Sequence, residues 1–317
     1  MTHVAVVGAG ATGTRVARQL TRGARPFDVV LLDDDAQLAN TVSQSLGDSA
    51  TSARGLEELD WCDVVVLAVR SGDHVHLAEK ALAPGRLIVS VSDSIADVEN
   101  LLSLNDGAAA ANSTVVVGSG LMPGLSDVLA AHGAGWLDTV QEVHVSKFGT
   151  GGPDCARQHH RALKSSGLDR RNGQWVRRPG GSGRELQWFP PPVQAADCYR
   201  AALGDPALLA RMHPGADRIT ARMAATRRDR LTMHLPMLRR PHPEGLIGAI
   251  RVELRGITDG AQAEVVLGCS ERPAVAAGAV AASAVVQLVD AARAVGAFGL
   301  AELVDPAAFL RDVRARG

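Results

Sequence analysis

The stretch Val4-Ala5-Val6-Val7-Gly8-Ala9-Gly10-Ala11-Thr12-Gly13, followed by Thr14-Arg15-Val16-Ala17-Arg18-Gln19-Leu20, decides the fold. A short apolar run leads into G-x-G-x-x-G and then into a helical pattern, so the order is strand, tight turn, helix. Gly8 lets the chain turn sharply. Gly10 carries no side chain, so a pyrophosphate can approach the backbone. Gly13 lets the helix pack closely on the strand, and the first helical turn, with Ala11 and Thr12, offers unpaired N–H groups to phosphates. A second apolar run, Asp28 to Leu32, ends at Asp33, twenty residues after Gly13. An acid there is placed to accept hydrogen bonds from an adenosine ribose.

Working outward, strands and helices alternate. Strands are expected at 4–7, 29–33, weakly at 49–53, and at Asp63 to Val69, 87–91 and 114–118; helices are expected at 12–21, 36–46, 74–82 and from Ile95. The continuous β-branched run Val64-Val65-Val66 suits a parallel strand buried on both faces. This pattern predicts an α/β protein with a Rossmann-type, doubly wound parallel sheet over residues 1–135. After Trp136 the texture changes. Glu142 to Phe148 alternates apolar and polar residues, as a half-exposed antiparallel strand does. Residues 170–192 read as short strands and loops, and 245–253 with 261–267 as a hairpin. A second α+β domain for substrate and dimerisation is expected at 136–270. The C-terminal helices, 271–317, with a long one at 274–295, are expected to pack back on the first domain.

Composition narrows the class. Of 317 residues, 46% are hydrophobic and the formal net charge is −1, which leaves no electrostatic footprint for nucleic acid. The basic pairs Arg227-Arg228 and Arg239-Arg240 read as solvated faces. The alanine-rich stretch 273–295 contains Ser283, Gln287, Asp290 and Arg293, so it reads as a packed helix rather than a membrane span. The first strand is expected to begin at once, so no leader is expected. The four cysteines, Cys62, Cys155, Cys198 and Cys269, have no C-x-x-C spacing. A cytoplasmic setting fits both observations. Cys155 and His159 stand four apart, and one helical turn can point both the same way. No third ligand occurs at a recognisable spacing, so no metal is expected.

In open α/β sheets, ligands lie beyond the carboxyl ends of the strands. That rule nominates Ala68, Val69 and Arg70 beside the dinucleotide. It places Ser92, Asp93, Gly120, Met122, Pro123 and Gly124 toward a nicotinamide. Pro123 suits the first turn of a helix, whose start can hold a substrate carboxylate. In the second domain Lys147 closes the alternating strand and a glycine-rich turn through Gly151 follows. Arg157, His160, Arg161 and Lys164 then recur at i, i+3, i+4 and i+7 and share a helix face. Arg157, Lys164, Gly151 and Gly124 are the candidates for binding an anionic substrate. Lys147, His160 and Asp93 are the candidates for moving the proton that accompanies hydride transfer.

Three motifs carry a resemblance to the saccharopine dehydrogenase-like oxidoreductases: Val6 to Gly13, the strand end Val89-Ser90-Val91-Ser92-Asp93, and Val116-Val117-Gly118-Ser119-Gly120-Leu121-Met122-Pro123-Gly124-Leu125-Ser126. The resemblance covers residues 1–135 well and the remainder in outline. It implies a hydride carried by NAD or NADP and a small substrate that is an amino-acid-derived secondary amine or imine. Asp33, Asp34 and Asp35 favour NAD over NADP, because three acids repel a 2′-phosphate and no Arg or Lys occurs in that turn. A homodimer is expected from a sheet with one free face and from the commonness of two-fold assemblies. Two alternatives stay open: a dehydrogenase acting on C–OH, and a non-catalytic NAD(H)-binding sensor.

Overall fold

The computed structural model describes residues 2–23, 25–237, 240–291 and 294–317; Arg239 and Arg293, singled out above, lie outside the described residues. The opening stretch forms β1 (His3–Val7) and α1 (Ala11–Arg22), followed by β2 (Asp28–Leu32), α2 (Ala36–Leu46) and β3 (Ala50–Ala53). Next come β4 (Val64–Leu67), α3 (His74–Ala81), β5 (Leu87–Ser90), α4 (Ile95–Ser103), α5 (Asn105–Ala110) and β6 (Thr114–Val117). The middle of the chain contains α6 (Leu125–Ala134), β7 (Thr139–Phe148), α7 (Pro153–Lys164), β8 (Gly167–Arg171), β9 (Gln174–Arg178), β10 (Glu185–Trp188) and β11 (Ala195–Arg200). It continues through α8 (Asp205–Met212), β12 (Arg218–Ala224), α9 (Arg227–Thr232), β13 (Gly248–Thr258) and β14 (Ala261–Glu271). The chain ends with α10 (Pro273–Leu288), β15 (Gly296–Gly299), α11 (Leu300–Leu303) and α12 (Pro306–Arg316).

Two compact units result. The first comprises Met1–Ser92, Ala96–Gly120 and Ala274–Gly317, and the second Asp93–Ile95 and Leu121–Pro273. The first unit is the Rossmann-type sheet, seven strands in the order β15-β6-β5-β4-β1-β2-β3. Every pairing in it is parallel. Strands β4, β5 and β6 are buried along their whole length, as strands covered on both faces must be. Strand β15 is an addition to the sequence reading. The sequence Gly296-Ala297-Phe298-Gly299 is short and glycine-flanked, and its strand character comes from pairing with β6. The long helix α10 ends at Leu288 rather than continuing to 295. Gly278 lets α10 lie close on α1, since a Cβ there would sit 2.5 Å from the Arg15 Cβ.

The second unit is an α+β body on an eight-stranded sheet. The main path is β10-β11-β12-β7-β13-β14, with β8 paired to β12 and β9 to β8. It is mixed rather than purely antiparallel, because β7 and β12 run parallel. The hairpin anticipated at 245–267 is β13–β14, and it turns at Asp259-Gly260 with both residues at positive φ. Helix α6 packs on this hairpin: a Cβ at Gly133 would meet Leu254, Val265 and Leu267. For that reason the unit starts at Leu121, ahead of the expected 136.

Candidate active site

The glycine-rich turn of the first unit is built from backbone. Gly8 has φ +104°, and a Cβ there would lie 2.4 Å from the Ala68 carbonyl oxygen. A Cβ at Gly13 would lie 1.7 Å from the Gly8 carbonyl oxygen. At Gly10, the N-cap of α1, a Cβ would meet nothing within 4 Å. Two glycines are therefore demanded by the fold, while the third leaves open space in front of a helix N-terminus, where anions bind. Ala11 and Thr12 form the half-buried first turn of α1. The Asp33 carboxylate accepts the Ala9 N–H at 2.7 Å and the Asp35 N–H at 2.9 Å, which ties the end of β2 to the turn. Asp35 caps α2 through the N–H groups of Gln37 and Leu38. The Asp34 side chain is fully exposed and lies 3.8 Å from an Arg70 guanidinium nitrogen. The turn itself holds no basic residue, but the end of β4 brings Arg70 beside it.

The remaining strand ends differ in character. Ala68 and Val69 are half-buried and Arg70 is exposed. Ser92 is buried and donates to Asp97 at 2.6 Å, while the Asp97 carboxylate also accepts the Gly72 N–H. Gly120 is buried. In the second unit Met122, Pro123 and Gly124 are buried, and α6 starts at Leu125 with Gly124 as its N-cap. Pro123 therefore precedes the helix instead of opening it. The Gly124 N–H is taken by Asp127 at 3.0 Å, so this helix start already faces a carboxyl group.

The chemically dense part of the second unit centres on Lys147, on β7 between β12 and β13. Its side chain is 5% exposed, and its ammonium lies 3.4 Å from both Asp93 Oδ2 and the Met122 carbonyl oxygen. The same Asp93 oxygen lies 3.2 Å from His159 Nε2 and 3.3 Å from Cys155 Sγ. Burial works to raise the Asp93 pKa, but the Lys147 charge and the His159 and Cys155 contacts prevail and hold it well below the usual carboxylate range. Burial, helped by Lys147, lowers His159, which is neutral at neutral pH. Burial and then Asp93 push the Cys155 thiol up to about 12. The i, i+4 spacing reveals Cys155 and His159 but not the third donor. Asp93 comes from a distant loop, and ligand spacing carries no trace of that approach.

Two further acids are wholly buried nearby. Ser126 donates to Asp205 at 2.8 Å, while Asp127 Oδ1 and Asp205 Oδ2 have no hydrogen-bond partner among the described residues. Burial, then the negative charge of Asp205, raises Asp127 well above its ordinary value. Burial raises Asp205 to about 6, against the opposing pull of Lys147. Neither acid stands out in the sequence, because one is a helix-start residue and the other precedes a proline, both ordinary settings.

Beside this cluster the second unit contains a cavity of about 760 Å³. Its wall includes His159, Leu163, Met223 and Leu246, with Arg228 and Arg240 supplying positive charge. Helix α7 presents His159, Gln158, Ala162 and Leu163 as its buried side. Arg157, Arg161 and Lys164, expected to share a binding face, are exposed, and Arg157 pairs with Asp154 at 2.5 Å. His160 is half-buried and engages the Leu235 carbonyl oxygen at 2.8 Å. Gly151 is buried in the turn before α7.

Residues 3–94 match the family described as NADP oxidoreductase, coenzyme F420-dependent. The whole chain is similar in fold to apo saccharopine dehydrogenase (L-Glu forming) from Saccharomyces cerevisiae. The identity is 13% and the TM-score 0.64, over 100% of this chain and 96% of that one. It is similar to the C. glutamicum DAP dehydrogenase in complex with DAP, at 17% identity and TM-score 0.54, over 99% of this chain and 98% of that one. An engineered D-amino acid dehydrogenase bound to NADP+ matches at 19% identity and TM-score 0.57, over 99% of both chains. The family match lies within the first unit, and the likeness to these dehydrogenases is one of fold. Among the described residues, no helix is long and apolar enough to cross a membrane.

Proposed function

We propose that this chain is an oxidoreductase that transfers a hydride between NAD(H) and a C–N bond of an amino-acid-derived, carboxylate-bearing substrate. The observation that carries the reading is the geometry at Gly8, Gly10 and Gly13, where fold constraints account for two glycines and the third opens onto a helix N-terminus. The nicotinamide supplies the hydride chemistry when bound. In the second unit Lys147 holds and moves the proton at the substrate nitrogen, and Asp93 keeps its ammonium in place. Arg228 and Arg240 supply charge for a carboxylate, and the apolar wall of the cavity accommodates the rest of the substrate. Asp33 is the partner proposed for the adenosine ribose. Ala68, Val69, Ser92 and Gly120 are proposed as backbone and strand-end neighbours of the dinucleotide.

The acids at 33–35 support NAD, while Arg70 beside Asp34 is the feature that works against it. Titration with NADH and NADPH separates the two: tighter NADPH binding that is lost in Arg70→Ala overturns the choice of NAD. The substrate reading is tested by NADH oxidation on a panel of imino acids, 2-oxo acids with amines, and ketones. Turnover with imines is expected. Turnover with ketones or sugars alone assigns the chain to C–OH chemistry, and tight NADH binding with no turnover assigns it to a sensor. The open edge of β14, at the end of the second sheet, is proposed as the surface of a homodimer, which light scattering at micromolar concentration decides.

A further inference from the structure

Asp93, Cys155 and His159 bring three different donor atoms to one point. Cys155 and His159 stand one turn apart on α7, and Asp93 arrives from the loop after β5. The triangle has edges of 3.2 Å (Asp93 Oδ2 to His159 Nε2), 3.3 Å (Asp93 Oδ2 to Cys155 Sγ) and 3.6 Å (Cys155 Sγ to His159 Nε2). A tetrahedral zinc ion with ordinary bond lengths to O, N and S needs edges of about 3.3 Å for O···N and about 3.5 to 3.6 Å for the two sulfur edges. The three agree to within about 0.3 Å. We infer that Asp93, Cys155 and His159 form a binding site for one divalent metal ion of the zinc type, with an open fourth position.

Proton counting favours a metal over a hydrogen-bonded triangle. The thiol and the imidazole Nε2 carry at most one proton each. If both donate to Asp93, the sulfur and nitrogen face each other at 3.6 Å with no proton between them. If the thiol donates to the imidazole, Nε2 carries no proton and both edges to the carboxylate are left empty. A cation at the centre satisfies all three atoms at once. On coordination the thiol gives up its proton to solvent. A mixed sulfur, nitrogen and oxygen donor set selects zinc over magnesium or calcium. His159 also lines the cavity, which provides an entry path. Three protein ligands with a fourth position free are the pattern of catalytic rather than structural zinc. This inference stands on the triangle alone and is independent of the hydride reading.

The test uses the full-length protein stripped with a chelator. Zinc is titrated in competition with a chromophoric chelator, and cobalt is titrated for its spectrum. One equivalent of zinc is expected, and cobalt should give a thiolate charge-transfer band with tetrahedral visible bands. Cys155→Ser should abolish the thiolate band. His159→Gln and Asp93→Asn should weaken zinc at least about tenfold. Lys147→Met should tighten it, because the ammonium competes for the same Asp93 oxygen. Cys269→Ser serves as the thiol control and should change nothing. The inference is overturned if wild type takes up no zinc beyond what a Cys155→Ser/His159→Gln double variant takes up. It is equally overturned if the cobalt spectrum survives in Cys155→Ser. Circular dichroism checks folding, and the near-isosteric Cys155→Ser decides the matter even if Asp93→Asn fails to fold.

Discussion

The two units build their polar sites from different material. In the first, the candidate nucleotide cradle is backbone: three glycines within six residues and the first turn of α1, with a single carboxylate, Asp33, tying strand to turn. In the second, the candidate site is side chains from Asp93, Cys155, His159, Lys147 and Asp205, with one carbonyl from Met122. A backbone site is local in sequence and tolerates almost no change of shape. A side-chain site is assembled by sheet register and helix packing, and it tolerates changes of shape better than changes of charge.

The largest expected effect lies in the backbone site and separates its glycines. Gly13→Ala places a methyl 1.7 Å from the Gly8 carbonyl oxygen, where both contacts are backbone and neither can turn aside. Destabilisation of at least about 3 kcal/mol is expected, at or beyond the usual range for overpacking. Gly10→Val meets open space, so its melting temperature should stay near wild type while NADH binding is lost. Melts with and without NADH check both. A Gly10→Val protein that binds NADH with wild-type affinity breaks the contrast, because the open space would then not be the phosphate site.

Lys147→Met is the matching experiment in the second unit. It removes the ammonium from Asp93 and leaves a largely buried carboxylate, 17% exposed, without its cation. A cost of about 3 kcal/mol is expected, at the lower end for breaking a buried pair. Turnover should fall by about 10²- to 10⁴-fold, the usual worth of a positioned acid or base. NADH affinity should hold, because the candidate cradle lies within the first unit. Denaturant melts, NADH titration and steady-state rates read the three quantities separately. Loss of NADH binding in a folded Lys147→Met protein contradicts the division of labour.

These contrasts explain what was legible in the sequence. The parallel sheet could be read because continuous β-branched runs such as Val64 to Val66 admit few other structures, and the glycine spacing located the tight turn that is the candidate cradle. Lys147 and Asp93 were nominated because one closes an alternating strand and the other follows a strand end, both positional rules. Their contact could not be read, since the two stand 54 residues apart in the chain. The α7 reading named the exposed face of a helix whose other side is buried. Helical spacing showed that Arg157, His160 and Lys164 align, but alignment does not say which side is buried, and the apolar residues Ala162 and Leu163 pointed to the other side. Strand β12 was invisible because Arg218-Ile-Thr-Ala-Arg-Met-Ala mixes arginines into its run, with Arg222 buried against Glu185 at 2.6 Å.

Asp205→Asn gives a smaller effect with a pH signature. The folded pKa of Asp205 is raised from 3.8 to about 6, chiefly by burial, with Asp93 adding to the rise and Lys147 and Ser126 opposing it. Asp127 is the other acid facing this pair, and it too is raised. A raised folded pKa favours the protonated form. The associated stability is therefore fully present below the ordinary carboxylate range and is lost as pH rises through about 6. At pH 8 the wild type bears a cost of up to about 3 kcal/mol for a buried carboxylate that asparagine does not bear. Asparagine can still accept the Ser126 hydrogen bond. The variant should melt higher than wild type at pH 8 and close to it at pH 4. Equal differences at both pH values would show that Asp205 is stably ionised, with Lys147 as its counter-ion.

The smallest expected effect comes from the outer face of α7 and sharpens the comparison most. Arg157 is exposed and pairs with Asp154 three residues earlier on the same helix, and Lys164 is exposed near the helix end. Exposed pairs contribute little, and surface substitutions of this kind usually fall within about 0.5 kcal/mol. Arg157→Met and Lys164→Met should therefore leave stability, NADH affinity and turnover near wild type. His159→Gln, two residues from Arg157 but on the buried side, should change turnover. On these expectations the helix separates a solvated basic outer face from a reactive inner face within one turn. If Arg157→Met weakens an identified substrate by about 10- to 150-fold, the loss expected for a charge-assisted hydrogen bond, that separation is wrong. The basic face would then belong to the substrate, and the cavity lined by His159 would be only part of the site.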